Sequence, residues 1–231
     1  MWDTSHRPAM NSPAPLPLAA DTPHDKKYLH RLLSQRNQQP QDVREVDAAI
    51  EAAFVRDVAI LVLDMCGFSR ITARHGIIHF LAMIHQMEQA ARPAIEGNGG
   101  QVIKQEADNL FAVFSSAEHA LEAALDTLRA LEAMNAVLPP ERALAVSAGI
   151  GYGPTLVIAH EDLFGPEMNC ACKLGEDIAG PSEILLTEAA HAALPAERYA
   201  FAASQHEISG VTLSSRRFER CLYERPLGGE Q

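Results

Sequence analysis

The sequence predicts an α+β fold with a ferredoxin-like βαββαβ core and a C-terminal extension. Three observations support this fold class. A continuous apolar run from Val58 to Leu63 is rich in β-branched residues, which predicts a strand buried on both faces. An amphipathic helical stripe follows this strand. Two short apolar segments then lie close enough to form a hairpin, and the order of all these segments is that of a ferredoxin-like core.

Composition limits the possible functions. The chain has 231 residues and is 47% hydrophobic, which suffices for one sizeable core but not for two full domains. The formal net charge of -11 argues against a duplex nucleic-acid binder, because such proteins need a basic surface to displace counterions. No apolar run is long enough to span a membrane, and residues 1–6 lack the features of a signal peptide. We therefore expect a cytoplasmic protein without a membrane or nucleic-acid partner, whose four cysteines are reduced thiols.

The chain is predicted to divide into three parts. Residues 1–24 are rich in Pro, Ser, Thr and Ala, a composition typical of a disordered tail. Residues 25–54 show helical periodicity in two pieces, which Pro40 separates. This helical lead-in has either a dimerising or regulatory role, or it only covers one edge of the domain. The folded domain is expected over residues 55–225.

The elements of this domain follow from periodicity and from turn residues. The stripe after the first strand predicts one helix that ends at the glycine-rich stretch 97–100. The hairpin is expected at 101–114, with a tight turn at Asp108-Asn109. A capping box beginning at Ser115 starts the next helix. The later predicted elements are strands at 144–150 and 155–159 separated by a glycine-rich loop at 151–154, a helix at 166–178, a strand at 183–187, a short helix at 188–194, and strands near 199–207 and 217–223.

Two aspartates are candidate metal ligands. Asp64 directly follows the buried strand, and a carboxylate there needs a cation to remain charged. Asp108 lies at the tip of the predicted hairpin. Because the first strand lies beside the hairpin in a βαββ arrangement, both residues can meet at one rim of the sheet. Two carboxylates suit Mg²⁺, although a strand-end Asp is more often a helix cap and a hairpin Asp more often a turn former.

Several separate segments resemble a known family in their order and spacing. These segments are residues 64–69 (DMCGFS), 99–114 (GGQVIKQEADNLFAVF), 149–153 (GIGYG) and 162–165 (DLFG), followed by Asn169. Together they resemble the class III adenylate/guanylate cyclase catalytic domain over about residues 55 to 225. The resemblance implies a lyase of intracellular signalling that converts a nucleoside triphosphate into a cyclic nucleotide and pyrophosphate.

The resemblance also implies a mechanism. It places two Mg²⁺ or Mn²⁺ ions on Asp64 and Asp108, at the interface of a head-to-tail homodimer. The backbone N–H groups of Gly67, Phe68 and Ser69 are expected to bind the substrate phosphates at the start of a helix.

The partner subunit is expected to supply the remaining groups. Lys104 and Asp162 match the positions that read the base, and a donor with an acceptor suits adenine, so ATP is the expected substrate and cyclic AMP the product. Asn169 matches the residue that orients the ribose. Lys173 stands where the family expects an Arg, and it lacks the planar fork that can hold two phosphate oxygens.

Two alternatives remain open at this point. The enzyme could cyclise GTP or a pyrimidine triphosphate, or the domain could be a catalytically weak nucleotide-binding regulatory module. The second alternative rests on Lys173 and on Ser209, which stands where many relatives have a lysine for the terminal phosphates. Arg216 and Arg217 could replace that lysine or could be surface residues. The sequence does not identify the regulator or the downstream pathway.

Overall fold

The computed structural model describes residues 25–208 and 211–222. The predicted tail at 1–24, Ser209 and the end of the last predicted strand lie outside the described residues. No helix within these ranges is long and apolar enough to cross a membrane.

The described part of the chain begins with two helices that pack on the rest of the domain. These are α1 (Lys26–Gln38) and α2 (Val43–Phe54), and a short 3₁₀ turn beginning at Pro40 joins them. The carboxylate of Asp25 caps α1, since its Oδ1 accepts a hydrogen bond from the backbone N–H of Tyr28 at 2.8 Å. The buried side chains of both helices form one cluster with a residue of the central sheet; its members are Leu29, Leu32, Val46, Ile50, Phe54 and Ile158. A dimerising or regulatory role for these helices stays a prediction.

Within the described residues, the centre of the domain is one eight-stranded sheet. Its strands are β1 (Val55–Met65), β2 (Gln101–Glu106), β3 (Asn109–Phe114), β4 (Val146–Ile158), β5 (Asp162–Phe164), β6 (Ile184–Thr187), β7 (Tyr199–Ile208) and β8 (Val211–Cys221). The strand order is β2-β3-β1-β4-β6-β8-β7, and β5 pairs with the end of β4. Only β4 and β6 run parallel among these described strands. The first four strands have the order of a ferredoxin-like core, which confirms the predicted fold class.

Helices cover both faces of the sheet. They are α3 (Phe68–His75), α4 (Ile77–Gly97), α5 (Ala117–Asn135), α6 (Pro166–Cys172) and α7 (Glu188–Ala192). Alternate residues of β1 divide between the faces. Leu61 and Leu63 pack in the cluster that contains α4 and α5, whereas Ile60 and Val62 pack in the cluster that contains α6. The strand is therefore buried on both sides, as its unbroken apolar run predicts.

The prediction of a loop at 151–154 is wrong, because β4 runs without interruption through this region. Its glycines serve close packing instead of a turn. A Cβ atom on Gly149 would lie 2.0 Å from the carbonyl oxygen of Ala171, and one on Gly151 would lie 2.6 Å from that of Glu167. The missing side chains let α6 approach the sheet closely, which fixes the position of that helix.

Other boundaries also differ from the predictions. The first predicted helix is two helices, because Gly76 adopts a φ of 82° between α3 and α4. The hairpin turn lies at Ala107-Asp108, so Asn109 already belongs to β3. The predicted helix 166–178 changes after Cys172 into the π-helical turn Lys173–Ile178. The short strand β5 was not predicted from the sequence, and β8 begins several residues before its predicted start.

The C-terminal extension is bonded to the core through α5. The hydroxyl of Tyr199 at the start of β7 donates to Glu122 at 2.8 Å and to Glu118 at 3.1 Å. The guanidinium of Arg198 forms an ion pair with Glu118. These contacts hold β7 and β8 as a continuation of the sheet.

Candidate active site

The first part of the candidate site consists of Asp64 and Asp108, which we call the acidic half-site. Asp64 is the penultimate residue of β1, and in the ladders it lies opposite Asn109 on one side and Ser147 on the other. By alternation it projects from the α6 face, as Val62 does. The backbone N–H of Met65 donates to the carbonyl oxygen of Asp108 at 3.3 Å. The structure therefore places both predicted aspartates at one rim of the sheet.

The charges of the acidic half-site are not balanced by the protein. Burial first, and then the neighbouring carboxylates of Asp108, Glu176 and Asp177, raise the pKa of Asp64 to about 7, although a hydrogen bond with Ser147 partly opposes this shift. Within the described residues, no basic side chain forms an ion pair with Asp64 or Asp108. The charged form of a carboxyl group in such surroundings is unfavourable unless a bound cation compensates its charge.

The chemistry of these groups fits a hard divalent cation. The amide Oδ1 of Asn109, opposite Asp64, is buried and has no hydrogen-bond partner among the described residues. Carboxylate and amide oxygens are ligands that Mg²⁺ and Mn²⁺ prefer. Within the described residues, no group of three or more His, Cys, Asp and Glu side chains converges on one metal position. The protein thus offers an incomplete ligand set, which is typical of Mg²⁺ sites that share their ions with substrate phosphates and water.

The second part consists of Lys104 and Asp162, which we call the base half-site. Their side chains form an ion pair of 2.9 Å, between Lys104 Nζ and Asp162 Oδ1. The ammonium also contacts Glu106 Oε2 at 2.8 Å and lies 4.8 Å from the centre of the Phe111 ring. Burial alone would lower the pKa of Lys104, but the bonds to Glu106 and Asp162 outweigh it and raise this pKa. Lys104 is therefore a fixed, charged donor.

The short strand β5 positions Asp162. This strand pairs with the end of β4, where Asp162 lies opposite Ile158. Asp162 Oδ1 accepts the bond from Lys104 and a second one from the backbone N–H of Leu163 at 2.9 Å. Its other carboxylate oxygen has no hydrogen-bond partner among the described residues. The pair thus keeps one oxygen available as an acceptor beside the ammonium donor.

The predicted phosphate-binding turn follows directly after β1. Gly67 has a φ of 96° and precedes α3, whose first turn contains Phe68 and Ser69. The carbonyl of Gly67 accepts a bond from the N–H of Ile71 at 3.0 Å. The chain therefore starts a helix close to Asp64, and the first backbone N–H groups of a helix lack partners within it.

Asn169 lies within α6, and Lys173 directly follows this helix. Both side chains are exposed and are separated by four residues, so they are about one turn apart. Lys173 is the first residue of the π-helical turn, a conformation that is frequent at functional sites. Within the described residues, no hydrogen bond or ion pair joins these two side chains to either half-site. The protomer therefore does not bring them together with the aspartates.

Two arginines that could bind terminal phosphates are engaged elsewhere. Arg216 forms an ion pair with Glu188 at 3.0 Å, and Arg217 forms one with Glu183 at 3.5 Å. In the described structure both belong to a surface network beside β6 and α7.

Several residues that shape the site were not predicted from the sequence. Glu106 and Phe111 hold Lys104, and Ser147 lies beside Asp64. The thiol of Cys172 is close to the base half-site, and burial followed by the charge of Glu176 raises its pKa to about 12. A signal existed for Glu106, because its spacing of two from Lys104 places both side chains on one face of a strand.

Comparison with known proteins identifies the family. The profile of the adenylate and guanylate cyclase catalytic domain matches residues 50–215. The chain belongs to this family. The resemblance found in the sequence is thereby confirmed, and the domain is a class III nucleotide cyclase catalytic domain.

Individual relatives agree with this assignment. A Rhizobium meliloti (strain 1021) protein named "Putative adenylate cyclase 3" is 29% identical over 136 residues, which cover 59% of this chain and 23% of that protein. The chain therefore spans about a quarter of that relative's length. An adenylate/guanylate cyclase/hydrolase from Silicibacter pomeroyi has a structure with 27% identity and a TM-score of 0.60, covering 71% of this chain and 95% of that one.

A fungal structure extends the likeness of the fold. It is the non-canonical dimeric guanylyl cyclase domain of the RhoGC fusion protein from Blastocladiella emersonii. Its identity is 14% and its TM-score 0.59, with coverage of 73% of this chain and 98% of that one. Structures with this fold therefore include a guanylyl cyclase domain.

Proposed function

We propose that this cyclase domain converts ATP into 3′,5′-cyclic AMP and pyrophosphate in a homodimer. The observation that carries the proposal is the base half-site, where Lys104 and Asp162 meet at 2.9 Å. Adenine presents a ring nitrogen acceptor next to an exocyclic amine donor. The ammonium of Lys104 can donate to the ring nitrogen, while the unpartnered oxygen of Asp162 accepts from the amine. Guanine presents two adjacent donors and one acceptor, which suits this pair less well.

The reaction itself is an in-line displacement at phosphorus. The ribose 3′-oxygen forms a bond to the α-phosphorus as the bond to the pyrophosphate oxygen breaks, and the proton of the 3′-hydroxyl is released. Asp64 and Asp108 would hold two Mg²⁺ or Mn²⁺ ions, which would supply Lewis-acid activation of the hydroxyl and of the leaving group. The position of both aspartates at one rim of the sheet supports this part of the proposal.

Other residues of the chain bind and orient the nucleotide. The N–H groups at the start of α3, from Gly67 to Ser69, are proposed to bind the phosphates because a helix N-terminus favours anions. Asn169 would orient the ribose. Lys173 would stabilise the charge that builds on the α-phosphate, as a single ammonium instead of a bidentate guanidinium. This substitution predicts a slower enzyme than one with Arg at this position.

The homodimer is proposed because one protomer does not assemble the whole site. Asn169 and Lys173 have no contact with the acidic half-site among the described residues. A head-to-tail dimer would place the acidic half-site of one protomer opposite the base half-site of its partner. Activity at such an interface depends on protomer concentration.

A second candidate function is nucleotide binding without turnover. The observation that favours it is Lys173, which leaves the site without a bidentate clamp at the α-phosphate. The retained acidic half-site supports catalysis, because a binding module has no need of an unbalanced and destabilising pair of carboxylates.

The proposal is tested by product identification. The purified protein is incubated separately with ATP, GTP, CTP and UTP, in Mg²⁺ and in Mn²⁺, and the products are identified by mass spectrometry. We expect cyclic AMP from ATP and its loss in Asp64→Ala. Cyclic GMP as the main product would assign the enzyme to GTP, and the absence of every cyclic product would favour the binding module.

A further inference from the structure

Glu106 contacts the base half-site, but the proposed function assigns no role to this residue. It is the last residue of β2, two residues after Lys104 and two before Asp108. Its Oε2 lies 2.8 Å from Lys104 Nζ. The side chain of Glu106 is 69% exposed, while those of Lys104 and Asp162 are 22% and 21% exposed. Because Glu106 is so exposed, burial does not hold its side chain against Lys104. The ion pair between Glu106 and the ammonium accounts for this contact.

The local backbone directs these side chains to one place. The pairing of β2 with β3 shifts register between Val102 and Lys104, so Lys104 lies opposite Phe111. The ammonium then lies over the Phe111 ring. Glu106, two residues along the strand, shares this face with Lys104. The irregularity in β2 thus places the lysine between the aromatic ring and two carboxylates.

The number of donors on the ammonium gives Glu106 a consequence for base recognition. A lysine ammonium has three N–H donors. Asp162 takes one of them and Glu106 takes a second. Because the three N–H bonds are tetrahedrally arranged, occupying two of them fixes the direction of the third. Without Glu106 the ammonium could turn about its last bond and offer two donors to whatever base is present.

We propose that Glu106 is a positioning residue that sharpens base selection by leaving Lys104 with a single directed donor. This inference rests on the proposed function, since it assumes that Lys104 and Asp162 read the base. One directed donor beside one free acceptor matches adenine. Two free donors would also donate to the carbonyl oxygen of guanine, so loss of Glu106 weakens the preference for ATP more than it weakens catalysis.

The test compares Glu106→Ala and Glu106→Gln with the wild type. The matched control is Glu96→Gln, which removes the charge of another exposed glutamate that pairs with an arginine, Arg92, at the end of α4. The discrimination ratio is the kcat/KM for ATP divided by that for GTP. We expect Glu106→Ala to lower this ratio about fivefold, the most that an exposed ion pair usually contributes, through KM with kcat nearly unchanged. Glu106→Gln keeps an acceptor oxygen and should lose less, and Glu96→Gln should change nothing.

Binding measurements keep the test independent of turnover. Affinities for 3′-deoxy-ATP and 3′-deoxy-GTP, which lack the attacking hydroxyl, are measured by calorimetry for the same proteins. A narrowed preference for the adenine analogue in Glu106→Ala supports the inference even if the wild type makes no cyclic product. An unchanged preference in a folded Glu106→Ala overturns the role of Glu106. A wild type that binds both analogues equally overturns it too, and also contradicts the proposed reading of the base.

Discussion

The acidic half-site and the base half-site differ in how their charges are balanced. In the base half-site, Lys104 is paired with Asp162 and Glu106, so charge and hydrogen bonding are largely satisfied within one protomer. In the acidic half-site, burial and neighbouring carboxylates raise the pKa of Asp64 to about 7, and no basic residue among those described compensates it. The base half-site is thus ordered by contacts within the protomer, whereas the acidic half-site keeps a partly buried carboxylate without a compensating cation. Under the proposed function, recognition of the base and the chemical step would therefore have different energetic requirements.

The sharpest test of this division mixes two damaged proteins. At ATP concentrations well below the wild-type KM, activity should fall about 10³-fold in Asp64→Asn, which removes a proposed metal ligand, and about tenfold or more in Lys104→Ala, which removes a base contact. In an equimolar mixture about half the dimers are mixed, and each mixed head-to-tail dimer has one intact site of two. Cyclic AMP formation should therefore return to about a quarter of the wild-type rate. Activity that stays at the level of the separate variants would contradict a shared site.

The base half-site can be examined alone by truncating its lysine. Lys104→Ala removes the donor to the base but leaves the acidic half-site intact. We expect the KM for ATP to rise about tenfold or more, since a charged hydrogen bond is lost, with a smaller change in kcat. Steady-state kinetics with ATP and GTP measure this effect. An equal fall in kcat for both nucleotides would place Lys104 in the chemical step instead.

The departure from the family at Lys173 predicts a gain of function. Lys173→Arg restores a planar group that can hold two phosphate oxygens, so kcat should rise about tenfold while the KM for ATP changes little. Turnover at saturating ATP measures it. The control is Lys173→Gln, which should be slower than the wild type. A slower Lys173→Arg protein would show that this site uses a different phosphate geometry.

The smallest effect concerns stability without metal. The pKa of Asp64 is about 7 in the folded protein and near 3.8 when unfolded, so the folded state loses stability as pH rises from about 4 to 7 and stays less stable above that range. Because Asp64 is only half-buried, we expect a penalty of about 1–2 kcal/mol at pH 8.

Asp64→Asn removes this penalty. In EDTA its Tm should exceed that of the wild type by about 3–6 °C at pH 8, and the difference should vanish near pH 4. Asp57→Asn, at the exposed opposite end of β1, is the control and should show no such dependence. Equal Tm values for Asp64→Asn and the wild type at pH 8 would mean that the acidic half-site is not strained without its cation.

Most of the core, and the candidate residues of the site, could be predicted from the sequence alone. Strand β1 was readable because every residue from Val58 to Leu63 is apolar, and such a run has one stable place, between two layers. Asp64 was predicted as a candidate metal ligand because a charge at the end of a buried strand requires a partner, and Asp108 because its hairpin is expected beside that strand. The segments shared with the cyclase family then predicted Lys104 and Asp162.

The conformation of the glycines in β4 and the formation of the shortest strand depend on tertiary contacts. Glycine near Tyr152 is compatible with a turn or with a strand under a close helix, and only the position of α6 against Gly149 and Gly151 selects the strand. Strand β5 has only three residues, too few to show the alternation that predicts a strand. It is held in an extended conformation by pairing with β4. The contact of Phe111 with Lys104 depends on the register shift in β2, which arises from pairing with β3 and leaves no local signal. The sequence therefore shows which chemical groups are available for a site. The orientation of each group depends on packing and pairing partners that are distant along the chain.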